Sequence, residues 1–249
     1  MKRTSKLFAY IIVFVLAFSL ALLCACSGSG AASDGTGGGM DGSVADTGSD
    51  VSEVVTVPDS SGMFTDADKT PSYDAASAVA ISLDGGAVTA DSDSVSVSGG
   101  KATITEPGTY IVSGSGNNVS IIVDVPSEIT EKVRLVLSGA SITNDDFAAI
   151  YIKSADKTFI VLEGENSLAV NGSFAAIDDN KVDGVIFAKD NVVLQGEGSL
   201  TVASSKHGIV GKDDVKITGG TISVTAANHG IEANDSVRVA SASLTIVSG

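Results

Sequence analysis

Lys189-Asp190-Asn191-Val192-Val193-Leu194 to Gly198-Ser199-Leu200-Thr201-Val202 is said again as Lys212-Asp213-Asp214-Val215-Lys216-Ile217 to Gly220-Thr221-Ile222-Ser223-Val224. A third copy runs from Asn234-Asp235-Ser236-Val237-Arg238-Val239 to Ala242-Ser243-Leu244-Thr245-Ile246. The copies begin 23 and 22 residues apart, and His207-Gly208-Ile209 and His229-Gly230-Ile231 stand between them. A fixed period in this range marks a solenoid. Within each copy apolar and polar residues alternate and β-branched residues dominate, which is the period of a strand. Each unit holds three such runs separated by Gly, Asn, Asp or Ser, so one unit reads as one triangular coil of a parallel β-helix.

Stacking such coils at the strand spacing of about 4.8 Å sets equivalent residues above one another. The expected interior columns are Val192, Val215 and Val237; Leu194, Ile217 and Val239; Leu200, Ile222 and Leu244; Val202, Val224 and Ile246; and Ile209 with Ile231. These are core.

Outward from the repeat, the chain divides into three parts. Lys2, Arg3 and Lys6 precede an apolar stretch, Leu7 to Leu23, that ends in Leu23-Cys24-Ala25-Cys26. A charged start, an apolar run and a small-residue ending make an export signal over residues 1–26. The ending resembles the bacterial lipobox, which implies acylation of Cys26 and an extracellular protein anchored to the cell membrane. Residues 27–77 are rich in Gly, Ser, Asp and Ala and cannot bury enough apolar area to offset the entropy of ordering, so a flexible tether is expected. The folded domain is expected over residues 78–249. It opens with Val79-Ala80-Ile81, Val95-Ser96-Val97 and Ala102-Thr103-Ile104 around Gly-Gly turns, short strands that would cap the apolar end of the stack. An insertion, Ile177-Asp178-Asp179-Asn180-Lys181-Val182-Asp183-Gly184, interrupts the period before Val185-Ile186-Phe187. Insertions in a solenoid lie on its surface and often carry binding function.

Asp190, Asp213 and Asp235 occupy one slot of the repeat. Carboxylates about 4.8 Å apart repel by roughly 1 kcal/mol in a water-like medium and about 3 kcal/mol at an effective dielectric of 20. Lys189 and Lys212, one position earlier, or a divalent cation would compensate. Calcium suits the role because it accepts six to eight oxygen ligands in loose geometry. The candidate ligands are Asp178, Asp179, Asp183 and Asp190 around the insertion, with Asp213, Asp214 and Asp235 in the later coils; turn formation by the same side chains is the alternative. His207 and His229, in equivalent slots, read as turn hydrogen-bonders, because two imidazoles without a third ligand are a poor metal site. The net charge of −15, from 15 basic and 30 acidic residues, excludes a nucleic-acid surface.

Val133-Arg134-Leu135-Val136-Leu137 with Gly139 and Ser141-Ile142-Thr143, then Ala149-Ile150-Tyr151-Ile152, then Lys212-Asp213-Asp214-Val215-Lys216-Ile217-Thr218-Gly219-Gly220-Thr221-Ile222 resembles a bacterial carbohydrate-binding domain family. The resemblance spans roughly residues 79–249. It implies an all-β, right-handed, polysaccharide-lyase-like parallel β-helix with coils of about 22–25 residues that carries calcium and binds plant-type polysaccharide, pectic polymers and cellulose among them, without catalysis. Family members run on for more coils, so by this resemblance the chain is either a short member or one lacking C-terminal coils. A monomer is expected. Two alternatives remain: a calcium-dependent pectate-type lyase using a base among Lys206, Lys212, Lys216 and Arg238, and a β-helical adhesin without sugar specificity. A neutral glucan would need aromatic platforms, for which Tyr110, Phe147, Tyr151, Phe159, Phe174 and Phe187 are available, though a lone aromatic in a β-helix is more often core.

Overall fold

The computed structural model describes residues 62–175 and 181–249. All of them fall in one compact unit, Thr56–Gly249. The export signal, Cys26, most of the expected tether, Asp178 and Asp179 lie outside the described residues.

Chain order follows the three-run unit. Two antiparallel hairpins come first, β1 (Val79–Gly85) with β2 (Ala87–Ala90) and β3 (Val95–Ser98) with β4 (Lys101–Ile104). Then come β5 (Gly108–Asn117), β6 (Ser120–Asp124), β7 (Val133–Asn144) and β8 (Ile150–Ser154). Three-strand coils follow: β9 (Lys157–Glu163), β10 (Glu165–Val170) and β11 (Gly184–Ala188); β12 (Asn191–Gly196), β13 (Ser199–Ser204) and β14 (His207–Gly211); β15 (Val215–Ile217), β16 (Thr221–Ala226) and β17 (Ile231–Ala233). β18 (Val237–Val239) and β19 (Ser243–Ser248) begin another.

Apart from the hairpins, every strand pairs in parallel with its counterpart one coil away. β7 is long enough to serve two faces: Val133–Ser138 pairs β9, and Ser141–Asn144 pairs β10. A first face is therefore built by β9, β12, β15 and β18, a second by β10, β13, β16 and β19, and a third by β4, β6, β8, β11, β14 and β17. All the expected columns are register partners: Val192, Val215 and Val237; Leu194, Ile217 and Val239; Leu200, Ile222 and Leu244; Val202, Val224 and Ile246; Ile209 and Ile231. With alternate residues facing inward, these columns fill one continuous apolar core up to the last coil, where Val237, Val239 and Ile246 stay exposed.

Buried amides hold the corners. Asn166 accepts from Ala140 N at 2.9 Å and donates to Glu163 O and Ser199 O at 3.1 Å each, so one side chain ties three coils. Asn144 does the same between coils at the next corner, accepting from Val119 N at 3.0 Å and donating to Val119 O at 2.8 Å. Such bonds satisfy backbone groups that the turns would otherwise leave buried and unpaired.

On the second face, β10, β13 and β16 alternate between buried and more open positions. Its outward side is a lattice of hydroxyls in which Ser141, Ser167, Thr201, Ser223 and Thr245 are successive register partners. In the middle coils of the other two faces, β9, β12 and β15 on the first and β11 and β14 on the third, both sides are buried. On the third, outward Tyr151, Phe187 and Val210 join Phe147 and Val182 in a second apolar cluster, with Lys101 and Lys212 stacked on the Phe147 and Phe187 rings. Lys212, one of the candidates to offset the aspartate column, is thus stacked on an aromatic ring.

The first face is covered by the chain itself, and here the tether expectation is corrected. Residues 62–76, expected to be flexible, are ordered, with a short helix, α1 (Asp66–Lys69), capped by reciprocal Thr65 and Asp68 bonds. Asp68 is fully buried and receives Lys157 Nζ at 3.0 Å from β9 and Lys216 Nζ at 3.1 Å from β15. Its carbonyl accepts from Thr218 and, with that of Ala67, from the Gln195 amide. Farther along, Tyr73 donates to Glu163 at 2.7 Å, while Arg238 reaches Met63 O at 3.3 Å. Beneath this strap the outward Phe159, Val161 and Val193 are buried to 2 % exposure or less. Water exclusion stabilises the apolar sheet face, and the two ammoniums with the Thr65 N–H offset what desolvation costs the carboxylate.

Candidate functional site

The acids meet three different fates. Asp183 and Asp190 flank β11, separated by the length of the strand, about 20 Å at the strand rise. They cannot share an ion, which corrects the expectation of one cluster from the insertion to Asp190 and Asp214. Asp183 pairs with Lys206 at 2.6 Å and lies 3.8 Å from His207 Nε2. Asp190 reaches back one coil and accepts from Ala155 N at 3.0 Å, a turn role. Asp214 accepts from Ser236 and pairs with Arg238 at 3.3 Å.

Asp213 and Asp235 do come together. Burial raises the Asp213 carboxyl above the ordinary aspartate range, and the neighbouring Asp235 raises it further, through a hydrogen bond and through like charge. The Asn191 amide donates to Asp213 at 2.7 Å from the coil before. Two carboxyls that resist ionising together are what a hard cation relieves. The fit to calcium is partial: this corner supplies two carboxylates, and the rest of a six- to eight-oxygen shell would come from water or from ligand.

A second cluster was missed by the sequence. His207 Nδ1 stands 3.7 Å from Glu232 Oε2, and His229 Nδ1 stands 2.9 Å from the same oxygen. The two imidazoles, one coil apart, have centroids 4.9 Å from each other. Burial holds His207 below the usual histidine range, against the pull of Asp183 and Glu232. His229 also donates its backbone N–H toward His207 Nδ1 at 3.4 Å. Glu232 gave no signal, because three residues along a turn and strand do not predict a shared face.

Of the aromatic candidates, Tyr110, Phe147, Tyr151, Phe159 and Phe187 are buried to 5 % or less and offer no platform. Phe174 is half-buried and lines a cleft of about 520 Å³ with Asn171, Lys181, Asp183 and Lys206. A second cleft, of about 570 Å³, follows the corner between the first and second faces, where Glu163, Glu197, Ser199 and Thr221 present oxygens. The four cations considered as a lyase base are all engaged: Lys206 by Asp183, Lys212 by Phe187, Lys216 by Asp68, and Arg238 by Asp214.

A model of the carbohydrate-binding domain-containing protein family matches residues 98–249. The chain belongs to this family. A carbohydrate-binding domain-containing protein of Acetivibrio thermocellus is 40 % identical over 146 residues, covering 56 % of this chain and 50 % of the relative, so the chain spans half that relative's length. A solved structure, the polysaccharide lyase-like protein from C. thermocellum as a gadolinium derivative, aligns at a TM-score of 0.57 and 31 % identity over 68 % of this chain and 82 % of that one. The matched family region contains the Asp213–Asp235 pair, the histidine–glutamate cluster and the open hydroxyl face; of the strap it contains nothing.

Proposed function

We propose that the protein is a monomeric lipoprotein, anchored through Cys26 at the outer face of a bacterial membrane, that binds acidic plant-type polysaccharide through calcium held at a corner of a right-handed parallel β-helix. The Asp213–Asp235 pair carries this reading. Two carboxyls one coil apart, with burial and Asp235 together raising the cost of ionising Asp213, form a site with unbalanced negative charge in a chain of a carbohydrate-binding family. Bound calcium would reverse the local field and accept polymer carboxylates, which explains how a protein of net charge −15 could hold a polyuronate. Asp213 and Asp235 would hold the ion, with Asn191 fixing the Asp213 side chain. The hydroxyl lattice of the second face lies open to hydrogen-bond sugar hydroxyls.

The lyase-like neighbour keeps a pectate lyase as the second reading, and the engagement of all four candidate bases argues against it. Depletion isotherms of the full chain with polygalacturonate and with cellulose decide between them. Saturable binding to polygalacturonate in calcium, weakened at least about tenfold by chelation, is expected, a change of about 1.4 kcal/mol. Binding indifferent to chelator would remove calcium from the account, and growth of ultraviolet absorbance from an unsaturated product would make the protein a lyase. Absence of binding to either polymer would leave the adhesin.

A further inference from the structure

We propose that His207, His229 and Glu232 form a site for a borderline transition-metal ion of the Zn²⁺ class, separate from the acidic corner. One ligand atom from each residue, two imidazole nitrogens and a carboxylate oxygen, lies within 4.8 Å of the others. In a tetrahedral zinc centre with bonds of about 2.0–2.1 Å, ligand atoms stand about 3.3 Å apart. The 2.9 and 3.7 Å separations of Glu232 from the two imidazoles straddle that value. Small side-chain adjustments would therefore close a three-ligand set with the fourth position open to water.

The backbone brings the rings together by dispensing with side chains. Gly208 and Gly230 follow the two histidines in adjacent coils; a Cβ on Gly208 would meet Gly230 O at 2.5 Å, and one on Gly230 would meet the Ile246 side chain at 2.3 Å. Glycine at both positions lets the coils close to the parallel spacing at the point where the imidazoles stack. One coil earlier the equivalent of His207 is Gly184, so the ligand column begins at His207.

Orientation and access are also in place. The His207 ring is 10 % exposed and sits between Glu232 on its Nδ1 side and Asp183, 3.8 Å from Nε2. His229, at 63 % exposure, leaves a path from solvent. An exposed His–Glu pair alone contributes little to stability and would not call for a buried second imidazole aimed at the same oxygen. Nitrogen-rich donors favour zinc, copper or nickel over calcium, so the two sites should sort ions by hardness.

The test is calorimetric titration of Zn²⁺ into the full chain, without a histidine tag and in saturating calcium, together with absorption spectra of the Co²⁺ form. Expected are one equivalent of zinc bound and the visible band of tetrahedral cobalt. His229→Ala and Glu232→Gln, both at accessible positions, should each weaken zinc binding by more than about tenfold, while Asp213→Asn/Asp235→Asn leaves it unchanged. His229→Ala keeps Cys24 and Cys26, so thiol binding would survive it. No stoichiometric uptake by the wild type, or uptake untouched by His229→Ala, would overturn the site.

Discussion

Leu194→Ala is expected to destabilise the fold by about 3 kcal/mol, whereas Val239→Ala, two coils along the same column, should cost less than about 1 kcal/mol. The column runs Leu135, Ile160, Leu194, Ile217 and Val239 by register. Leu194 is fully buried, with neighbours above and below, so truncation removes packing on every side and leaves a cavity that stiff parallel strands cannot close. Val239 lies in the outermost strand of its face and is 45 % exposed, so water already touches what would be removed. Urea unfolding midpoints at constant m-value measure both. Equal costs at the two positions would contradict the stacked register.

Asp68→Ala should cost about 3 kcal/mol and release the strap. Removing one partner of a buried ion pair leaves the other charge uncompensated, which typically costs about 3–5 kcal/mol. The lower end is expected because the strap can lift and let Lys157 and Lys216 regain water. Lifting exposes Phe159, Val161 and Val193, so proteolysis within residues 62–73 should accelerate in the variant and not in Asp66→Ala. The wild type carries a linked pH signature. Burial alone would raise the Asp68 carboxyl, but the Thr65 N–H and the Lys157 and Lys216 ammoniums outweigh it and hold the pKa down to about 2 from the ordinary 3.8. A pKa lowered in the folded state gives stability that is complete above the unfolded value and disappears as pH falls through the folded one. Between pH 4 and pH 2 the wild type should lose about 2 kcal/mol that Asp68→Asn does not lose. Parallel acid profiles would dismiss the buried ion pair.

Period and alternation made the stack readable before any coordinates. Residues 22 or 23 apart could be set over one another because parallel pairing advances by whole coils, and Val192 over Val215 or Leu200 over Ile222 followed directly. The strap was unreadable for the opposite reason. Asp68 finds Lys157 and Lys216 at separations of 89 and 148 residues, and nothing in Gly, Ser and Asp composition announces such a partner. A signal did exist in the strands. Phe159-Ile160-Val161-Leu162 and Val192-Val193-Leu194 are unbroken apolar runs, and a strand apolar on both sides is covered on both sides. Ser199-Leu200-Thr201-Val202 alternates, and its outward face is open. The candidate site was partly readable: equivalence in the repeat foresaw that Asp213 and Asp235 would meet. It could not foresee that Asp190 would turn to Ala155, or that Glu232 would join the histidines, because side-chain direction at a corner depends on the turn and not on the period.

If coil stacking gathers Asp213 and Asp235 into a calcium site, thermal unfolding of the full chain must respond to increasing calcium. An ion that binds only the folded form raises stability by about 2.7 kcal/mol at a hundredfold excess over its dissociation constant. The account predicts that rise in the wild type and its loss in Asp213→Asn/Asp235→Asn; an unfolding temperature that does not move with calcium, or moves equally in the variant, would contradict it.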